Sequence, residues 1–376
     1  MSGSRGQKPS PTIWLNSNSK PSFKAVLSPG ATPALRRVRP PRRILLRGSS
    51  TCAGRRSSKR RAARFAKESP SMTTVGMVGI GEMGSAFVER LLDAGRTVVG
   101  WNRTKAKVQP LLARGMRWAP TAADVARQSD VVLSMLTNGA ALAAVADAPD
   151  GILAGLSGKI LVELSTIAAD DIIALHTRVV QAGGELVDAA VLGSPLTVRQ
   201  GKLVIMVAGD DAVIATARPV LEDLGPRVVA MGSIGKAKVM KIALNLNLPA
   251  QILALSEGLL LAVKSGIDRS RALEVMLAGA MASPMLQYRA PFIEEMPAKA
   301  WFDVGMMQKD CDLALTLGRE LGVPLFVTAV SREMLSAARG QGLGDRDFAI
   351  LYYALANAAG LRDNPPVVGE PLPATK

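Results

Sequence analysis

Three glycines are spaced to hold a phosphate. Gly79, Gly81 and Gly84 stand as Gly-x-Gly-x-x-Gly, with Ile80, Glu82 and Met83 between them. The apolar residues 74–78 precede the motif, and an amphipathic run carrying Ala86, Phe87, Leu91 and Leu92 follows it. In a strand–turn–helix of this kind the first glycine permits the tight turn. The second lets a pyrophosphate approach the backbone, and the third lets the helix pack close to the strand. The first turn of the helix then offers unpaired N–H groups and the positive end of its dipole. An ordinary glycine-rich turn would not need a second strand after the helix, and residues 97–101 read as one. The chemistry implied is dinucleotide binding.

The residues after that second strand bear on which dinucleotide. A site for NAD usually places Asp or Glu there, to accept from the ribose 2′-hydroxyl. This chain has Asn102, Arg103 and Thr104, followed by Lys105 and Lys107. A carboxylate would repel a 2′-phosphate, whereas a guanidinium can bind it through two hydrogen bonds. The expectation is NADP(H) in preference to NAD(H). Other nucleophile and metal chemistry has little to work with. His176 is the sole histidine, in a run that reads as a surface helix, and Cys52 and Cys311 form no metal-spaced cluster. Two cysteines are too few for a disulfide framework, which fits a reducing compartment.

The elements that must position these residues alternate strand and helix as far as Met231, the pattern of a doubly wound α/β domain. Strands are expected at 74–78, 97–101, 116–118, 131–135, 160–163, 186–188, 203–208 and 227–231. Beyond them every periodic segment is helical, beginning with a long run over 239–265 that Pro249 should kink. The expected organisation is a Rossmann domain at 72–233, an all-helical domain at 234–361 entered by a long interdomain helix, and a loose Pro-rich tail at 362–376.

The net charge of +15 suggests a polyanion partner until it is located. Residues 1–71 hold 17 of the 46 Lys and Arg and a single acid, Glu68, leaving 29 bases against 30 acids elsewhere. This leader has no hydrophobic period, so disorder is expected. It reads as an organellar transit peptide, as a nucleic-acid-binding arm, or as sequence outside the functional protein, with Met72 as its natural start. The last is favoured, since frequent prolines would break a transit helix. A cytoplasmic protein is then expected, or an organellar one if the leader is a transit peptide. No uncharged apolar run is long enough to span a bilayer.

Taken together the motifs resemble those of the β-hydroxyacid dehydrogenases, which include 3-hydroxyisobutyrate dehydrogenase and the plant glyoxylate/succinic semialdehyde reductases. Gly79–Gly84 and Trp101-Asn102-Arg103-Thr104 carry the first part of the likeness. Glu163-Leu164-Ser165-Thr166 is similar to the family's Asp-x-Ser-Thr turn, and Asp188 to Ser194 to its Asp-x-Pro-Val-Ser-Gly-Gly loop. Lys309-Asp310, seven residues after Phe302, resembles its C-terminal motif. The likeness runs from about residue 73 to 358.

The resemblance implies a catalytic lysine early in the interdomain helix with an asparagine one turn later. Lys236, Lys238 and Lys241 compete. Lys241 stands four residues before Asn245, so the two share a helix face. Lys238 would face Ile242, which cannot hydrogen-bond. Lys241 is therefore expected to move the proton between a carbonyl and a hydroxyl, with Asn245 orienting it. The likeness further implies that Met135, Leu136 and Lys309 line the cofactor site. Ser165, Thr166, Leu192, Gly193 and Ser194 would hold the substrate. The long helix carries Ile252, Leu253, Leu255, Leu259, Leu260 and Leu261, more apolar surface than one helical domain is expected to bury, so a homodimer or homotetramer through that domain is expected, as the likeness also implies.

Two departures stand out. Leu192 replaces a serine that would hydrogen-bond the substrate, and Ser194 replaces a glycine. An apolar pocket suggests a second reading, an imine reductase-like activity, although such enzymes generally lack the lysine. A third reading is a non-catalytic dehydrogenase fold with a nucleic-acid-binding arm. The retained Lys241 argues against it.

Overall fold

The strands expected from the sequence assemble into one eight-stranded sheet in the order β3-β2-β1-β4-β5-β6-β7-β8. They are β1 Val75–Val78, β2 Val98–Trp101, β3 Arg117–Trp118, β4 Val131–Ser134, β5 Ile160–Glu163, β6 Glu185–Leu192, β7 Val204–Ala208 and β8 Arg227–Gly232. The computed structural model describes residues 73–361. The basic leader, the choice among its three readings, and the tail lie outside the described residues.

The helices between the strands are α1 Glu82–Asp93, α2 Gln109–Ala113, α3 Ala122–Arg127, α4 Gly139–Asp147, α5 Ala169–Gln181, α6 Pro195–Arg199 and α7 Asp211–Leu224. Two large apolar clusters result. One includes Val75, Met77, Phe87 and Leu133, and the other Val78, Val132, Leu161 and Leu175. Val75 and Met77 fall in the first cluster and Val78 in the second, as expected for successive side chains on opposite faces of a strand.

The sheet is parallel except where β6 meets β7, which pair antiparallel from Asp188↔Ala208 to Leu192↔Val204. The strand–helix alternation implies parallel pairing throughout, and here it misleads. A parallel return needs a crossover of a dozen residues or more. Only residues 193–203, including the five-residue α6, separate β6 from β7. The expected strand at 186–188 is in fact eight residues long, because this hairpin partner supports it through Leu192.

The helical layer comprises α8 Lys236–Asn245, α9 Asn247–Lys264, α10 Arg269–Ala278, α11 Pro284–Arg289, α12 Val304–Leu321, α13 Phe326–Gly340 and α14 Leu351–Ala358. It has its own core, including Ile252, Leu259, Met307, Leu335 and Phe348. α8 and α9 form the long interdomain helix, interrupted at Leu246 rather than at Pro249 itself. The proline ring crowds the carbonyl four residues earlier, that of Asn245, and cannot donate to it. The Asn247 side-chain amide donates to Ala243 O at 2.9 Å, meeting one acceptor near the break. By length and composition Lys236–Lys264 would suffice to cross a bilayer. In this fold it packs on β6, α12 and α14.

Candidate active site

Strand order reverses between β1 and β4, so a crevice opens at their carboxyl ends, where open α/β sheets bind ligands. Each glycine of the motif has a distinct environment there. Gly79 has φ +89°, and a Cβ on it would come within 2.4 Å of Met135 O. A Cβ on Gly84 would lie 2.3 Å from Gly79 O. A Cβ on Gly81 would meet nothing within 4 Å, so this residue borders open space. The residues therefore fit a dinucleotide: two glycines close the turn, and the third leaves the backbone bare where a pyrophosphate must approach.

Asn102 ties this turn to the end of β2. Its Oδ1 accepts from Ile80 N–H at 3.1 Å, and its Nδ2 donates to Thr104 O at 3.0 Å. Ile80 is buried in the sheet core and Met83 packs at its margin, so both hold the loop from behind. Arg103 and Thr104 are exposed, and Lys105 lies over the Trp118 ring at 5.2 Å. Glu82, in the first turn of α1, is paired with Lys299 of the helical layer.

Met135 and Leu136 continue β4 along the other wall. Leu136 N–H donates to Ser165 Oγ at 2.8 Å, and Ser165 N–H donates to Glu163 Oε1 at 2.9 Å. Ser165 is fully buried. Its hydroxyl oxygen thereby braces the loop against β4. Ser194 is likewise used locally. It caps α6, its Oγ accepting from Thr197 N–H at 3.4 Å while its own N–H donates to Thr197 Oγ1 at 3.3 Å. Leu192 and Gly193 are exposed beside it, and Thr166 is half-buried.

The helical layer closes over these loops. Lys241 donates from Nζ to Val191 O at 2.9 Å, directly before Leu192. Burial pulls its ammonium from 10.5 down to about 8, with the nearby Asp310 carboxylate opposing and the Lys309 charge assisting. Asn245, one turn on, donates from Nδ2 to Asp310 Oδ2 at 2.6 Å. Lys309 Nζ pairs with Asp310 Oδ1 at 2.9 Å and donates to Thr166 O at 2.7 Å, joining α12 to the loop after β5. Lys241, Asn245, Lys309, Thr166 and the 191–194 loop therefore form one linked constellation. A cavity of about 370 Å³ flanks it beyond Lys309, between Asp170 of α5 and Asp312 of α12. It shares Lys309 and Ile242 with the constellation's surroundings but does not include Lys241.

The rival Lys238 is fully buried, 2.6 Å from Glu163 Oε2 and 3.5 Å from Asp188 Oδ1. Burial raises the Asp188 carboxyl pKa, against the pull of Lys238 and of the Gly235 and Ala237 N–H groups. Helix spacing alone does not single out this cluster. Its signal is a lysine three residues before Lys241 and an acid at the end of β5 and of the matching stretch of β6. Asp310 is also missed as the partner of Asn245. Cys311 beside it is buried, its thiol raised to about 12 chiefly by burial, and is no nucleophile at neutral pH.

Comparison with known proteins agrees with this architecture. Residues 74–232 match the NAD binding domain of 6-phosphogluconate dehydrogenase, and residues 235–355 match the NAD-binding domain of NADP-dependent 3-hydroxyisobutyrate dehydrogenase. Glyoxylate/succinic semialdehyde reductase 1 of Arabidopsis thaliana is 33% identical over 282 residues, 75% of this chain and 98% of that protein. The chloroplastic reductase 2 of the same plant is 30% identical, over 76% of this chain and 80% of its own. The solved structure of a 3-hydroxyisobutyrate dehydrogenase from Salmonella typhimurium shares the fold with a TM-score of 0.69, at 24% identity over 75% of this chain and 99% of its own. The chain belongs to the β-hydroxyacid dehydrogenase family and is a nicotinamide-dependent oxidoreductase acting on CH–OH groups.

Proposed function

We propose that the chain interconverts a small aldehyde or semialdehyde acid with its hydroxy acid, using NADP(H), and that Lys241 is the acid–base group. The observation that carries this is Lys241 itself. Its amine sits between the substrate loop and Asp310, with a pKa of about 8, close to working pH. An acid or base is most effective when its pKa lies near the operating pH.

A bound nicotinamide supplies or accepts the hydride. In the reducing direction the Lys241 ammonium stabilises the developing alkoxide and delivers its proton. In the oxidising direction the neutral amine takes the hydroxyl proton. Asn245 is fixed by its bond to Asp310, and its role in this proposal is to orient the lysine or the substrate hydroxyl. Lys309 holds Thr166 and so fixes one wall of the cleft. Exposed Leu192 and the backbone near Gly193 form the other, which suits a short carbon chain ending in a polar group. The preference for NADP(H) rests on exposed Arg103, with Thr104, at the end of β2, where no carboxylate stands.

A panel of glyoxylate, semialdehydes and cyclic imines, with NADPH consumption as readout, tests the assignment. Turnover of the aldehyde acids is expected. Leu192 supports imines as the second reading, and preferential imine turnover would replace the first. Exposed Leu261, Val275, Phe326, Val327 and Val330 on the helical layer support assembly into a homodimer or homotetramer. The retained Lys241 favours a metabolic enzyme over a nucleic-acid-binding fold.

A further inference from the structure

The three residues Lys238, Glu163 and Asp188 are fully buried, and the proton-transfer chemistry uses none of them. β5 ends at Glu163, paired with Asp188. From Ala189 onward β6 therefore has a partner on one side only, β7. Carbonyls two residues apart on a strand point the same way, and two on this edge, Ala189 O and Val191 O, are met by lysines of α8. Lys238 Nζ donates to Ala189 O at 2.6 Å and Lys241 Nζ to Val191 O at 2.9 Å. Three residues of helix advance about 4.5 Å, and two residues of strand about 6.6 Å. Flexible lysine stems bridge the difference. Lys238 also donates to Glu163 O at 2.9 Å, at the last residue of β5.

The carboxylates complete the joint. Glu163 Oε2 neutralises Lys238, while Oε1 holds Ser165 N–H under the cofactor crevice. Asp188 Oδ2 accepts from Gly235 N–H at 2.7 Å and Ala237 N–H at 3.3 Å, fixing the start of α8. One cluster thus ties together the loop after β5, the substrate edge of β6 and the helix carrying Lys241.

We infer that Lys238, with Glu163 and Asp188, is a positioning residue that seats α8 on the open edge of β6 and so sets where the Lys241 amine stands in the cleft. The inference rests on the role proposed for Lys241. Charged groups reaching Lys241 from the packed elements are Asp310 and Lys309 of α12, with the triad itself on α8, β5 and β6. Asp170 of α5 faces the flanking cavity beside Ile242. β7 carries no titratable residue, Arg227 of β8 stands level with Leu192 two strands away across Val204, and Glu257 and Lys264 lie well along α9 in the sequence beyond Lys241.

Breaking a buried ion pair by removing one partner is strongly destabilising, so Lys238→Met alone can unfold the chain. The informative variant is Lys238→Met with Glu163→Gln. It removes one cation and one anion, leaves the cluster's net charge unchanged, and keeps an acceptor for Ser165 N–H. The full-length variant is compared with wild type by thermal melting, by kcat and KM for NADPH with the best substrate, and by the pH dependence of Lys241 labelling with an amine-acylating reagent. The expected result is a folded protein with NADPH KM within about twofold of wild type, kcat down by about tenfold or more, and a changed Lys241 labelling profile. A folded variant with wild-type kcat and wild-type labelling overturns the inference. If the double variant does not fold, Lys238→Arg is measured in the same way. It keeps the charge but moves the donors, and wild-type kcat and labelling there overturn the inference equally. Labelling needs no turnover. Failure of the proposed reaction in the wild type is therefore distinct from failure of this joint.

Discussion

The protonation of Lys241 gives the sharpest handle on the proposed chemistry. With its pKa at about 8, about nine-tenths of the enzyme carries the ammonium at pH 7 and about one-tenth at pH 9. Reduction uses the ammonium, so its single-turnover rate should fall about tenfold over that interval. Oxidation uses the neutral amine and should rise by the same factor. An unperturbed lysine would leave reduction flat to about pH 9.5, and its oxidation rate would climb about tenfold per pH unit without levelling until about pH 10. Asp310→Asn then tests the cause. The carboxylate favours the ammonium, opposing burial and Lys309. The asparagine keeps an oxygen for the Asn245 amide now held at 2.6 Å. Removing the charge leaves burial and Lys309 unopposed, so both midpoints should move down by about one unit. The assay is stopped-flow absorbance of the reduced cofactor from pH 6 to 10 in each direction. A wild-type midpoint near 10, or an Asp310→Asn midpoint that moves up, refutes the reasoning.

Further outcomes follow from the site and its support. Arg103→Ala should weaken NADPH binding about tenfold or more while leaving NADH nearly unchanged; equal losses by isothermal titration would remove the 2′-phosphate argument. Gly81→Ala should melt like wild type, since its Cβ meets nothing within 4 Å, yet bind cofactor poorly. Gly84→Ala should lower Tm, because its Cβ would lie 2.3 Å from Gly79 O. Arg289 is buried against Asp347 Oδ1 at 2.6 Å, and Asp347 Oδ2 also accepts the Trp301 and Phe302 N–H groups. Arg289→Met should therefore cost about 3–5 kcal/mol, seen as a fall in Tm by calorimetry.

Much of this molecule was legible in the chain because its signals are local. The Gly79–Gly84 turn, the apolar strand runs and the Lys241–Asn245 spacing each depend on residues close in sequence. The antiparallel β6–β7 pair was not legible from alternation alone, since connection length decides it. The break at Leu246 follows from Pro249, displaced toward the carbonyl that the ring crowds. What spacing could not reveal is partnership across the fold. Asn245 meets Asp310 from 65 residues away, and Lys238 meets Glu163 from 75. Ser165 and Ser194 show the converse. Their types suit a substrate grip, and their hydroxyl oxygens also accept from the N–H groups of Leu136 and Thr197, contacts that residue type does not announce.

The central claim is that the Lys241 amine moves the proton and leaves the cofactor site untouched. Lys241→Met, titrated with NADPH by fluorescence and then assayed with the best aldehyde acid, tests it most directly. Cofactor affinity is expected within about threefold of wild type, with kcat reduced by about 10²–10⁴-fold. Turnover at the wild-type rate by a folded Lys241→Met protein would contradict it.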